Sequence, residues 1–210
     1  AGFSIVTYTG TGSGATIGHG LNSKPDVVLT KRRNASGHWL INDWSADYVN
    51  KLKLNDNEAK SSSNSFVNDA SATTFTLGTD TDVNADGGTY VAYCFHSVDG
   101  YSKVGSYTGN GNADGTFVYT GFRVAFVMRK RTDNTTHWHI NDNARIGFNG
   151  PGSNLSLRPN VVDTEDDADR IDLLSNGFKV RTASGDANNN NSPFIYLAFA
   201  ETPFKYSNGR

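Results

Sequence analysis

At 210 residues the chain exceeds a typical single domain and accommodates two modest ones. Hydrophobic residues make up 36% and aromatics 11%, enough for two small cores, while 22 glycines among many Asn, Ser, Thr and Asp favour strands joined by tight turns over long helices. The net charge is −2, and the halves carry −3 (7 basic, 10 acidic, residues 1–99) and +1 (12 basic, 11 acidic, residues 100–210), so neither has the basic footprint a nucleic acid requires.

From the start of the chain, AGFSIVTYTG has no basic region leading into an apolar one, so no signal peptide is expected. No apolar stretch approaches the ~20 residues needed to cross a bilayer, so no membrane insertion is expected. The turn Tyr8-Thr-Gly-Thr-Gly12 leads to a strand at Val27–Arg32, where successive side chains alternate between faces. A second turn, Asn34–Gly37, precedes His38-Trp39-Leu40-Ile41-Asn42-Asp43. Asp47–Lys60 has too weak an apolar stripe for a helix and is read as strand plus loop. Phe75-Thr-Leu77, the turn cluster Asp80–Gly88 and the apolar run Tyr90–Phe95 complete the first half. Cys94 lies in that run and is the only cysteine, so no intrachain disulfide can form, which fits assembly in a reducing cytosol.

The second half repeats these elements in order. Tyr8 recurs as Tyr107 and His38–Asp43 as His137–Asp142, both at an offset of 99. Leu52-Lys-Leu54 matches Leu155-Ser-Leu157 at 103, Phe75-Thr-Leu77 matches Phe178-Lys-Val180 at 103, and Tyr90–Phe95 matches Phe194–Phe199 at 104. A longer Gly/Pro loop at Gly147–Ser153 accounts for the growth. Order and near-constant spacing over a whole half read as an internal duplication. The expected fold is all-β, with two tandem, jelly-roll-like β-sandwich modules over 1–98 and 99–210 and equivalent starts at Gly2-Phe3-Ser4 and Gly100-Tyr101-Ser102.

The stretch from Tyr90 to Ile140, and that from Ile171 to Tyr206 with the ending PFIYLAFAETPFKYSNGR, resemble C-terminal modules of virion proteins from marine tailed bacteriophages. The resemblance covers essentially the whole chain. It implies a virion protein assembled in the host cytoplasm, a tail-fibre or capsid-surface module whose partners are other virion proteins and a host-surface glycan or receptor. Fibre-associated proteins of this kind imply a homo-oligomer, often a trimer. No catalytic residue transfers with the resemblance, and the Trp138…Asp142…Arg145 pattern is incomplete in the first half, where Trp44-Ser-Ala-Asp has no Arg.

Four groups of residues invite chemistry. Asp80, Asp82, Asn84 and Asp86 alternate ahead of Gly87 as oxygen ligands of Ca²⁺ would, but Tyr93 takes the twelfth position, where an EF-hand needs Glu, and the matching segment Ser184–Asn191 keeps one carboxylate. An Asx-stabilised hairpin is the favoured reading. His137 and His139, two apart on a strand, would share a face as metal-binding histidines do, yet further ligands are missing and Leu40 stands opposite His139 in the repeat. Trp39 and Trp138 share a repeat position and are expected as core anchors. Trp44, without an equivalent and near Tyr48, is the candidate sugar-stacking platform. The acidic run Glu165-Asp166-Asp167 is expected to be a solvated loop, not the spaced carboxylate pair of a glycosidase.

No cofactor and no enzymatic activity are expected. The leading expectation is a virion module making multivalent contact with the host surface. The alternatives are a decoration or joint protein that binds only other virion proteins, and a tail-associated glycan hydrolase.

Overall fold

The structure, a computed structural model, describes residues 2–43, 50–62, 67–145, 149–150, 155–166, 168 and 170–202. Two compact units divide the chain, Ala1–Asn55 with Lys60–Ser97, and Asp56–Ala59 with Val98–Arg210. The cut after Ser97 falls one residue from the boundary expected between 98 and 99. Asp56–Ala59 belongs with the second unit because the Asn57 carbonyl accepts from Thr136 N–H at 2.9 Å and from Lys130 Nζ at 3.3 Å.

In the first unit the strands are β1 (Phe3–Thr9), β2 (Ala15–Gly18), β3 (Val27–Arg32), β4 (Trp39–Asp43), β5 (Asn50–Lys53), β6 (Ser61–Ser62), β7 (Val67–Ala70), β8 (Thr74–Leu77) and, after a single helical turn α1 (Thr81–Asn84), β9 (Thr89–Phe95). They form two antiparallel sheets, ordered β1-β9-β3-β4-β5-β6 and β2-β8-β7. The second unit has β10 (Ser102–Thr108), β11 (Phe117–Tyr119), β12 (Val124–Arg131), β13 (Trp138–Asp142), β14 (Ile171–Leu174), β15 (Gly177–Val180), the turn α2 (Gly185–Asn188) and β16 (Pro193–Ala200). Its sheets run β10-β16-β12-β13 and β11-β15-β14, the same order with the outer strands β5 and β6 left off.

Strand parity builds each core. Val28, Leu40, Ala92 and Cys94 point inward from the larger sheet and meet Val67, Ala70, Phe75 and Leu77 from the smaller. Burial pushes the Cys94 thiol up to about 12, so it stays a neutral, packed group. In the second unit Tyr107, Val127, Phe194, Tyr196 and Ala198 meet Val118, Ile171, Leu173, Phe178 and Val180. The same aromatic trio stands in both. Tyr8 stacks on Tyr90 at 5.0 Å and meets Phe75 edge-on at 6.2 Å; Tyr107 stacks on Phe194 at 4.8 Å and meets Phe178 edge-on at 6.0 Å.

Three expectations are corrected here. Trp39 is not the core anchor expected, whereas Trp138 is buried as an anchor should be; both lie opposite Lys31 and Lys130 in the ladders, so their side chains project from the face away from the inter-sheet cluster. Trp39 is only half-buried and lies 6.2 Å from the Tyr93 ring. The starts also shift, since Phe3 pairs with Phe95 and Ser102 with Phe199, which makes Ser102 the equivalent of Phe3. Finally, Asp80–Gly88 is no hairpin. It carries α1 and links β8 of one sheet to β9 of the other.

Candidate functional site

The Asp80–Asp86 segment is a capped helical turn. The Asp80 carboxylate accepts from Asp82 N–H at 2.8 Å, the bond of a helix N-cap, and Ser184 does the same for α2 through Asp186 N–H. Asn84 ends the first turn fully buried. Its Oδ1 accepts from Thr11 N–H at 2.8 Å, and its Nδ2 donates to the carbonyls of Gly78 at 2.7 Å and Ser13 at 2.5 Å. Asn188 repeats the pattern, accepting from Asn110 N–H at 3.0 Å and donating to the carbonyls of Asn112 at 2.7 Å and Thr182 at 3.0 Å. The buried Val83 and Ala187 plug the core beside them, and their carbonyls accept from the Tyr8 and Tyr107 hydroxyls. Gly10 and Gly109 pass so close to the carbonyls of Ala85 and Asn189 that no side chain fits at either place.

This geometry disperses the four oxygens proposed for calcium. Asp80 caps, the Asn84 oxygen turns into the protein, Asp82 faces the His38 N–H at 3.4 Å, and Asp86 is exposed. Among the described residues no three of His, Cys, Asp and Glu gather as metal ligands.

The two histidines have separate duties. His137 is half-buried, its Nδ1 2.9 Å from the Asn160 amide nitrogen, while Asn160 Oδ1 accepts from Trp138 N–H at 3.1 Å. His38, Asn55 and Trp39 make the same arrangement in the first unit, with Trp39 N–H donating to Asn55 at 2.8 Å. His139 lies fully buried on the inner face, opposite Arg129, which is also fully buried. Its Nδ1 is 2.9 Å from Ser156 Oγ, and its Nε2 stands 3.9 Å from an Asp186 oxygen. Serine, histidine and aspartate thus come together, but as a packed array. Ser156 is 1% exposed, so its hydroxyl is closed to a substrate, and 3.9 Å is too long for the bond that orients a catalytic imidazole.

Burial, then the positive charges of Arg129 and Arg158, holds the His139 imidazole well below its ordinary 6.5. The folded unit therefore keeps it neutral where the unfolded chain takes a proton. The stability that the neutral imidazole contributes is fully present above about pH 6.5 and is lost as pH falls below it. His139→Leu, which installs the residue found at the equivalent Leu40, is expected to abolish that pH dependence. Urea midpoints at pH 7 and pH 5 for both proteins measure it; an equal loss in both would show that another group carries the acid sensitivity.

The acidic run is held by arginines. Arg145 Nη1 binds Glu165 at 2.5 Å, and Arg158 Nη2 binds Asp166 at 2.8 Å. Asp167 lies outside the described residues, as do Trp44 and Tyr48. Arg145 explains the pattern seen after Trp138. It pairs with Asp142 through Nε at 2.8 Å and donates to the Ile140 carbonyl at 3.0 Å, while Asp142 accepts from the Ala144 and Arg145 N–H groups at 3.0 Å. Burial would raise the Asp142 carboxyl, but these hydrogen bonds outweigh it and hold it below the usual range.

Sequence reasoning missed a pair of exposed aromatics. Phe117 and Tyr119 are 44% and 60% exposed, project to one face of the edge strand β11, and Lys103 Nζ sits 5.5 Å from the Tyr119 ring. By sheet register their counterparts in the first unit are Thr16 and Gly18, so no repeated core role requires an aromatic there. That asymmetry was the available signal.

No curated protein and no solved structure matches the chain. Residues 1–203 match the family described as a domain of unknown function, DUF7483, and the chain belongs to that family.

Proposed function

We propose that the chain is a non-enzymatic structural module of a bacteriophage virion, displayed on a tail fibre or capsid surface and contacting host glycans. The observation that carries this reading is the use to which its reactive-looking groups are put. Asp80 caps a turn, Asn84 and His139 serve the interior, and Glu165 and Asp166 are tied to Arg145 and Arg158. Such a protein offers a host its surface instead of a reaction centre. Phe117 and Tyr119 provide exposed ring faces for a sugar, with Lys103, Lys179 and Asp114 nearby to bond hydroxyls. Single contacts of this kind are weak and gain strength from many copies on one particle.

The test pairs a glycan array with sized chromatography of host polysaccharide. Binding to a defined set of glycans, lost in Phe117→Ser/Tyr119→Ser, with polysaccharide length unchanged, is the expected result. Shortened polysaccharide would establish a hydrolase instead. A blank array, together with binding to purified virion proteins, would favour a decoration or joint role.

A further inference from the structure

We propose that β1 is a docking edge for a second copy of this chain, which adds its own β1 antiparallel and continues the sheet across a twofold axis. β1 is the terminal strand of the six-stranded sheet and, among the described residues, pairs only with β9. His96 N–H donates to the Gly2 carbonyl and Gly10 N–H to the Gly88 carbonyl, both at 2.7 Å. Bonded and non-bonded pairs alternate along an antiparallel ladder, so even-numbered residues of β1 bond to β9. Phe3, Ile5, Thr7 and Thr9 therefore turn their N–H and C=O groups to the open side, and among the described residues nothing bonds to them there. The same four side chains are exposed, Ile5 to 58%.

An edge of this kind is ordinarily guarded by a charge, a proline, a bulge or a covering segment. The equivalent edge, β10, is guarded. Ser102 exchanges both backbone bonds with Val98 at 3.0 Å, the Thr108 carbonyl accepts from Thr116 Oγ1 at 2.8 Å, and Lys103 places a charge in the strand. Among the described residues β1 has none of these. Its seven residues, FSIVTYT, are mostly strong strand formers in regular register, and residues 1–23 contain no Asp, Glu, Lys or Arg.

The absence of charge favours a second copy over other extended segments. A twofold axis sets the edge against its own copy, so an edge of one charge repels itself and this uncharged one does not. With the axis at Val6, Phe3 lies opposite the partner's Thr9 and Ile5 opposite the partner's Thr7, and the outward groups close about eight backbone hydrogen bonds. The contact is a single strand pair, below the ~1,000 Å² of a stable interface, so the association is weak and concentration-dependent. Its product is a dimer, not the trimer implied by fibre proteins.

Sedimentation equilibrium of the 210-residue chain, from micromolar to submillimolar concentration, tests this. The mass should rise from 22.7 kDa toward twice that value. Ile5→Lys, at an exposed position where the fold tolerates it, should weaken association at least tenfold, whereas Val104→Lys on β10 should leave it unchanged. Hydrogen exchange supplies a second readout: the amides of Phe3, Ile5, Thr7 and Thr9 should gain protection with concentration while the even-numbered ones are protected throughout. A chain that stays at 22.7 kDa at every concentration, or a dimer indifferent to Ile5→Lys, overturns the proposal, as does protection of the odd-numbered amides only when a different protein is added.

Discussion

Asn84→Ala and Asn188→Ala should each destabilise their own unit by about 2–4 kcal/mol. Each asparagine satisfies a backbone N–H and at least two carbonyls from segments that have no ladder partners of their own. An unpaired buried polar group costs about 1–3 kcal/mol; alanine strands the Gly78 or Thr182 carbonyl, while the backbone groups of exposed Thr11, Ser13, Asn110 and Asn112 turn to water. Aspartate is no remedy: it keeps the acceptor but turns a charge toward two carbonyl oxygens. Guanidinium unfolding of each variant gives the loss, and hydrogen exchange at the Thr11 or Asn110 amide locates it. A loss under about 1 kcal/mol would mean that water takes over the bonds and that the asparagine is not the hub of the turn.

The second large effect separates two tryptophans that hold matching ladder positions in the two units, opposite Lys31 and Lys130. Trp138 is 1% exposed, and truncation to alanine should cost about 3–5 kcal/mol, the range for a large buried aromatic. Trp39 is half-buried, with the Tyr93 ring tilted beside it at 6.2 Å, so Trp39→Ala should cost about 1–2 kcal/mol, the exposed part of the ring having little transfer energy to lose. Paired denaturation curves decide this. Equal losses would show that the two positions are energetically equivalent despite their different burial.

Local chemistry was enough to recognise strands, turns and the order of elements. Alternating β-formers have few other conformations open to them, and Gly/Asn clusters mark where the chain turns. The offsets of 99 at Tyr107 and 104 at Phe194 hold in the ladders, where Tyr8 faces Tyr90 and Tyr107 faces Phe194. The offset at Leu157 does not. Ile41 pairs with Leu52 and Ile140 with Leu157, while Asn55 and Asn160 bond the two tryptophan amides, so the true offset there is 105 and not 103. A strand repeats its faces every two residues, and a slip of two leaves every apolar side chain on the face it had. Pattern alone cannot detect such a slip; hydrogen bonds from the neighbouring strand can.

The rest depended on tertiary structure because it turns on what covers a residue, not on what the residue is. An inward-facing strand position usually predicts an apolar side chain, yet Arg129 and His139 fill two of them, His139 with the Ser156 hydroxyl from a loop against its Nδ1. The carboxylates of Asp80–Asp86 looked like ligands because spacing suggests convergence, and one helical turn disperses them. The sequence by itself determined two strand-rich halves in matching order, because backbone preference and side-chain alternation are local. Which tryptophan is buried, which asparagine closes each sandwich and which edge strand stands open were decided only when distant segments met, since burial and hydrogen-bond satisfaction belong to pairs of segments and not to either one alone.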